Sequence, residues 1–498
     1  MRRALVPLFL VAAPVFAQES LDEIDKAASA KEVPKEEKKK AIASVNGYLD
    51  NRFQYSWIAP GTTPIPTNDA PSLQDILEAN VQLHVDLGSK AFAYGDVSLL
   101  FQGGWLFYAN DGMGGRQSVD DHDVPSLRPF VAINELYASW SPKPWLNLLA
   151  GKKRIVWGSG FAFNPTDLVN PPKDPTDPNF QRSGAWLARV ELPFEKFTFT
   201  GLFSPSVLYQ ENGLPYQLFQ YPDYTPSGQS YRDSDQHYLV AGRFYALVAN
   251  ADLNLIYMFT NKYNDAFANK SRFGISFSRY FLTDYELHVE ALLQTGSARS
   301  FPNHACLTAA FSPACADPIH MAFAPSRVDS GSFYPRVIVG TRTLFRDESS
   351  LSIEYYYQSD GYSDQDFQDF VRGLVLLQKI PGAGNTLTGT NNTGALPNRF
   401  TFDPLRRHYL IASYSKPRIK DDFTATLVLI MGLRDLSAMI NPSVAWNALE
   451  WLTLTLNGFI PVRGIPVGQV DGGNGRLYNE YSLLPWDWRI LFEARAFY

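Results

Sequence analysis

After its first 17 residues the chain holds no run of about 18 consecutive apolar residues, which excludes helices that cross a bilayer. Reactive-site motifs are also missing. There is no G-x-S-x-G elbow, no HExxH pair and no Cys–His arrangement, and His84 and His288 have no serine partner that the sequence can identify. An enzyme is therefore not expected, nor a cofactor. A net charge of -6 gives no ground for nucleic-acid binding. Cysteine is scarce: the two residues, Cys306 and Cys315, lie close together, and in an exported chain they predict a short-loop disulfide. A metal site would need more ligands than the neighbouring His304 and His320 supply, so no metal is expected. Mean hydropathy is only -0.18.

What the chain does have is alternation. Its last stretch, WRILFEARAFY, places Trp488, Ile490, Phe492, Ala494, Ala496 and Tyr498 on one parity. Arg489, Glu493 and Arg495 fall on the other parity, with Leu491 and Phe497. A period of two puts the two sets on opposite faces of a β-strand. The same pattern recurs from Val45 onward, for example Val81, Leu83 and Val85 against Gln82 and His84, or Tyr285, Leu287 and Val289 against Glu286, His288 and Glu290. Such stretches number about 18, within the range for transmembrane barrels. Short turns (87–91, 141–145, 193–196, 247–251, 345–350, 447–451) alternate with mostly long segments (102–129, 157–184, 204–235, 295–333, 359–405, 459–485). Turns at one end and loops at the other are the arrangement of an antiparallel up-and-down barrel with periplasmic turns and extracellular loops. An aromatic content of 14% suits a lipid-facing band with aromatic girdles around a polar lumen. The last strand must then pair with the first, Val45–Ser56, to remove both sheet edges.

The N-terminus reads separately. Met1, Arg2 and Arg3 precede an apolar run to Ala17, the form of a secretory signal peptide (1–17). Residues 18–44 are rich in Glu and Lys and lack aromatics, which predicts a charged periplasmic extension and a candidate contact for a periplasmic partner. Residues 45–498 form the barrel. Expected partners are outer-membrane lipid and, through the C-terminal strand, the barrel assembly machinery.

The densest segment is Gly151–Pro178, GKKRIVWGSGFAFNPTDLVNPPKDPTDP. Gly158 and Gly160 permit unusual backbone angles, the prolines stiffen the chain, and Asn164, Thr166 and Asp167 can cap local backbone groups. A rigid loop anchored by Trp157 and folded into the pore mouth or lumen is expected, with Trp157, Gly158, Gly160, Asn164, Pro165, Thr166 and Asp167 as its constriction or plug residues. The tryptophan–glycine and asparagine–proline–threonine–aspartate elements resemble loops of Gram-negative porin-like barrels, including some near polysaccharide export and capsule assembly. The C-terminal aromatic strand resembles the closing strand of such barrels. The resemblance implies an outer-membrane location and a barrel; it names no substrate.

The parity that opposes the apolar set carries Arg189, Glu191, Arg243, Asp252, Arg272, Glu286, His288, Glu290, Arg336, Arg342, Glu354, Arg489, Glu493 and Arg495. Mixed sign predicts a water-filled channel with a lateral field, although many of these charges could pair across strands and hold the wall together. A tyrosine-rich loop (Tyr209, Tyr216, Tyr221, Tyr224, Tyr231) suits either ligand contact or mutual packing, and Asp120, Asp121 and Asp123 read as a solvated acidic loop. The leading expectation is a channel for small solutes. A barrel of an envelope-export system and a plugged barrel with a binding or scaffold role remain the alternatives.

Overall fold

The computed structural model describes residues 42–57, 73–105, 109–110, 116–117, 128–167, 169, 184–205, 238–260, 271–281, 284–297, 299, 301–308, 331–379, 404–464, 467–484 and 486–498. The signal-peptide and extension readings before residue 42, Asp120–Asp123, and the tyrosines between 209 and 231 lie outside these residues.

Alternation produces one closed sheet of 18 antiparallel strands. In chain order they are β1 (Ala43–Trp57), β2 (Leu73–Asp86), β3 (Ala91–Trp105), β4 (Arg128–Lys143), β5 (Leu146–Lys153), β6 (Ala185–Pro193), β7 (Phe197–Pro205), β8 (Tyr238–Val248) and β9 (Ala251–Thr260). The second half comprises β10 (Ser271–Phe281), β11 (Tyr285–Thr295), β12 (Phe333–Leu344), β13 (Ser350–Gln358), β14 (His408–Ile419), β15 (Phe423–Gly432), β16 (Ala438–Leu449), β17 (Leu452–Val462) and β18 (Trp488–Phe497). Each strand pairs with its sequence neighbour, and β1 pairs with β18 from Tyr48↔Phe497 to Trp57↔Trp488. That seam leaves no edge, as a membrane-spanning sheet requires. β1 begins at Ala43, two residues before the boundary expected at Val45. One loop is shorter than the alternation implies, since only residues 433–437 separate β15 from β16.

The apolar parity faces outward all round: Leu49, Phe53, Val81, Val190, Phe203, Leu255, Phe273, Ile353, Leu427, Leu456 and Phe492 are all exposed. Trp57 and Trp488 stack with ring planes 1° apart where the seam meets the loop end. No helix among the described residues is long and apolar enough to cross a membrane. At the C-terminus the Tyr498 hydroxyl donates to the carbonyl of Asn80 at 2.7 Å, lying across Gly47, where a Cβ would collide with it.

The interior departs from a purely polar wall. Two apolar clusters occupy it. One joins Leu149, Leu187, Leu202, Ala241, Ile256 and Met258 of β5–β9 to Ile155, Trp157 and Val169. The other joins inward residues of β12–β18, among them Ile338, Tyr356, Tyr409, Ile411, Val428, Ile430 and Phe459, to loop residues. Val428 and Ile430 alternate with the outward-facing Leu427, Leu429 and Met431, so β15 is apolar on both faces. The described loop residues of the two clusters pack against these strands, which makes an apolar inner face favourable there.

Among the described residues those loops carry two α-helices, α1 (His304–Thr308) and α2 (Asp364–Lys379). α2 starts at a capping box: the Ser363 hydroxyl accepts from the Asp366 N–H, and the Asp366 carboxylate accepts from the Ser363 N–H. Phe367, Phe370, Val371, Leu374 and Val375 then recur at helical spacing and are all buried in the second cluster.

Candidate functional site

The segment after β5 turns inward. Gly151 (φ +132) breaks the strand parity just before it, where a Cβ would strike the backbone of Leu136 and Tyr137. Lys152 reaches the Ile133 carbonyl at 2.6 Å, the Lys153 ammonium lies 4.5 Å from the Tyr137 ring centroid, and the Arg154 N–H donates to Glu135 at 2.7 Å. Trp157 is buried in the first apolar cluster, with the Arg243 guanidinium 5.8 Å from its ring. Phe163 stacks on Tyr356 at 4.8 Å, within the second cluster.

Between these two anchors the wall supplies two buried carboxylates. Glu290 of β11 accepts from the N–H groups of Ser159, Gly160 (2.6 Å) and Thr166 (3.3 Å), and from the Thr166 hydroxyl (2.8 Å). Glu354 of β13 accepts from the N–H groups of Phe161 and Ala162 (3.2 Å). His288 Nε2 lies 2.9 Å from the same Glu354 carboxylate. A run of loop donors that no sheet or helix satisfies is thus met by charge-assisted bonds in a dry setting, where each counts for more than in water.

Two glycines make the arrangement sterically feasible. At Gly158 (φ +106) a Cβ would lie 2.6 Å from Thr166 Oγ1 and 2.7 and 2.8 Å from the Glu290 oxygens. At Gly340, on the β12 strand between β11 and β13, a Cβ would strike His288 and approach Glu354 Cγ at 2.7 Å. The His288–Glu354 contact spans this bare position. Gly158→Ala is expected to loosen the loop by about 2–4 kcal/mol, combining a disfavoured backbone angle with lost carboxylate contacts. Faster amide hydrogen exchange over 159–166, with the barrel still heat-modifiable on gels, would show it; unchanged exchange would refute it.

The remaining sequence candidates all face inward, but they fall into separate groups. Asp252 accepts from the Tyr245 hydroxyl at 2.5 Å. Glu286 accepts from Ser278 at 2.9 Å and lies 3.9 Å from Arg342. Arg336 pairs with Asp360 at 2.9 Å, Arg189 lies 3.8 Å from Glu191, and Arg272 shares the inward parity of Ser276 on β10. Arg489 bonds Ser56 and covers the Trp486 ring, while Arg495 joins Glu493 and Asp50, each at 3.1 Å.

Around Arg495 the structure adds residues that the sequence reading left out of the candidate set. Arg52 bonds both Asp50 and Glu78 at 2.8 Å. Glu78 also accepts from Tyr48 and Ser98, while Asp96 accepts from Asn80 and Asn134. Asn134 sits at a β-bulge, where Asp96 pairs with Glu135 but Val97 pairs with Ile133. The extra residue lets Asn134 and Glu135 both serve the interior. The inward parity of Asp50 and Arg52 was visible in the sequence; the bulge carries no such signal.

Cys306 is disulfide-bonded; Cys315, the only other cysteine in the sequence, lies outside the described residues. No cluster of three or more His, Cys, Asp or Glu suited to a metal occurs among the described residues.

No family model matches the chain, and no curated protein matches it. Solved structures of similar form include Pseudomonas aeruginosa OccK7 (OpdD), with 8% identity over 92% of this chain and 99% of that one, at a TM-score of 0.48. Salmonella typhi OmpF in complex with daunomycin matches at 7% identity, 92% and 97% coverage, and a TM-score of 0.39. A triple mutant of the Rhodopseudomonas blastica porin matches at 8% identity, 92% and 100% coverage, and a TM-score of 0.36.

Proposed function

We propose that the protein is a porin-like channel of the Gram-negative outer membrane, passing small solutes along a lumen narrowed by the 155–167 loop. The observation that carries this reading is the closed barrel with a loop pinned inside it by Glu290 and Glu354. Trp157, Gly158, Gly160, Asn164, Pro165, Thr166 and Asp167 then form the constriction. Transport needs no reacting residue; pore width and wall charge set selectivity. Arg189, Arg243, Arg272 and Arg336 stand on β6, β8, β10 and β12, while Asp50, Glu78, Asp96 and Glu135 stand on β1–β4. In a closed ring of 18 strands β10 lies opposite β1, and β12 opposite β3. Each side also carries the opposite sign, Glu191, Asp252, Glu286 and Glu290 beside these arginines and Arg52 beside these acids, so the wall charge is mixed throughout. Residues 1–17 would direct export, residues 18–44 would offer a periplasmic contact, and the C-terminal strand would be the handle for assembly.

A second reading, a plugged barrel with a binding or scaffold role, draws support from the burial of inward residues such as Asn80, Ser98, Ile256 and Tyr409. Swelling of liposomes that contain the purified protein separates the two. Uptake of small sugars and amino acids, falling steeply with solute size, supports the channel. Swelling no faster than in protein-free vesicles would sink it in favour of the plug.

A further inference from the structure

Between Phe273 and Phe281 the outward parity of β10 is apolar but for Arg279. This residue follows Phe273, Ile275 and Phe277 on that parity, and it pairs across the sheet with Ala251 of β9 and Leu287 of β11. Asp75 and Lys416, which also stand on outward parity, have protein partners: Asp75 accepts from Asn51 at 2.8 Å, and Lys416 pairs with Asp347 at 2.9 Å. Among the described residues Arg279 has no hydrogen-bond or ion-pair partner. Its Nε is buried without an acceptor, and its guanidinium lies over the Phe281 ring, 5.0 Å from the centroid. Ala251 is the first residue of β9, so the charge sits in the row next to the turn-end rim. Further toward the loop end, on β10–β12, the outer surface is notched. Ala291 stands between Ile275 and Val337, and the next row holds Phe273, Leu293 and Pro335. Together they line an almost wholly apolar hollow of about 290 Å³.

We propose that Arg279 and this hollow hold one phospholipid of the turn-side leaflet, its phosphate on the guanidinium and an acyl chain laid along β10–β12 into the notch. The site requires a bilayer around the barrel, but not an open channel.

A guanidinium that faces hydrocarbon without a carboxylate is costly, and it bends toward the interface to find an anion or water. Here the Phe281 ring and the buried Nε keep it close to the wall. The anions that a bilayer offers at that depth are lipid phosphates, which a guanidinium meets with two parallel N–H donors. The spacing fits a single molecule. Leu287 and Ala291 are four residues apart on β11, and that is roughly 13 Å along a strand, or about 10 Å along the membrane normal at a tilt of about 40°. One leaflet supplies about 15 Å of hydrocarbon, half of the bilayer core. A chain whose phosphate rests at Arg279 therefore passes the hollow before it ends. The hollow offers methyl groups and ring faces, so an acyl chain covers almost nothing polar there. No carboxylate stands beside the guanidinium to receive an ammonium group, which favours a headgroup of net negative charge, such as phosphatidylglycerol, over a zwitterionic one.

Native mass spectrometry of the full chain released from detergent micelles, with phosphatidylglycerol titrated in, tests the site. The first lipid is expected to bind the wild type at least about tenfold more tightly than Arg279→Gln, the loss of a charge-assisted contact. Diacylglycerol, which has the chains but no phosphate, should not distinguish the two proteins. Ala291→Leu fills the hollow and should weaken the first lipid severalfold with Arg279 intact, and Arg279→Lys should fall between wild type and Arg279→Gln. Lys416→Gln removes a charge that is already paired with Asp347, so it should bind as the wild type does. Each variant is scored in its folded, fast-migrating gel form; should Arg279→Gln not reach it, Arg279→Lys and Ala291→Leu carry the test. Equal binding by the wild type and the Arg279 variants, or an equal loss from Lys416→Gln, overturns the proposal. Displacement of the lipid by excess inorganic phosphate, with binding indifferent to Ala291→Leu, overturns it too, because that marks a site for a free anion. First-lipid binding by a protein that carries no current keeps the site and removes only the channel.

Discussion

Glu290→Ala is expected to free the inward loop and to give the largest gain in conductance of any single substitution in the wall. The alanine strands the N–H groups of Ser159, Gly160 and Thr166 together with the Thr166 hydroxyl, all now bonded to one buried carboxylate. Unsatisfied buried donors cost about 1–3 kcal/mol each, and some will find water once the loop moves. A net local loss of about 3–5 kcal/mol follows, enough to shift the loop from almost wholly docked to largely released. Glu290→Gln keeps the shape and part of the acceptor capacity, so its effect should be smaller. Glu354→Ala should act in the same direction but more weakly, since it frees two loop donors, Phe161 and Ala162, and leaves His288 without its carboxylate. Exchange over 159–166 and single-channel current are the readouts. A Glu290→Ala protein with wild-type exchange over this segment would contradict the latch.

Arg52→Ala is expected to be the most damaging change to the barrel itself. Its guanidinium is the shared partner of Asp50 and Glu78, which are 0% and 5% exposed. Removing one member of a buried charge network leaves the others uncompensated, at a cost of about 3–5 kcal/mol. Arg495 still reaches Asp50, so Glu78 bears most of the loss. The temperature that converts the folded, fast-migrating form to the unfolded form on gels should fall clearly. Adding Glu78→Gln should recover part of it, because the stranded charge is then gone. By contrast, the half-exposed Arg418–Glu348 pair at the turn end should matter by less than about 1 kcal/mol. Equal effects from Arg52→Ala and Arg418→Ala would argue against a buried network at the β1–β2–β18 seam.

The outer surface was legible in the sequence because one rule governs it: every second residue meets lipid. That rule located the strands, their turns and the pairing of the last strand with the first. The interior obeys no single rule. In β15 the run from Leu427 to Met431 reads as one apolar face, yet Val428 and Ile430 are buried inside against loops that come from elsewhere in the chain. The apolar spacing of Phe367, Phe370, Val371, Leu374 and Val375 was a usable helix signal within a segment read only as a long loop. Glu290 and Glu354 were visible as inward carboxylates, but not as partners of Ser159–Thr166, which are more than 120 residues away in sequence. Gly340 gave no sign of its role, since a bare position matters only when two side chains must meet across it.

Single-channel recording in planar bilayers, comparing the wild-type protein with Glu290→Ala, tests the loop-restricted barrel most directly. Discrete steps of modest size are expected from the wild type, with steps several-fold larger from Glu290→Ala and no change in the folded gel form. Silence from both proteins, or identical steps from both, would contradict a passage whose width is set by the 155–167 loop.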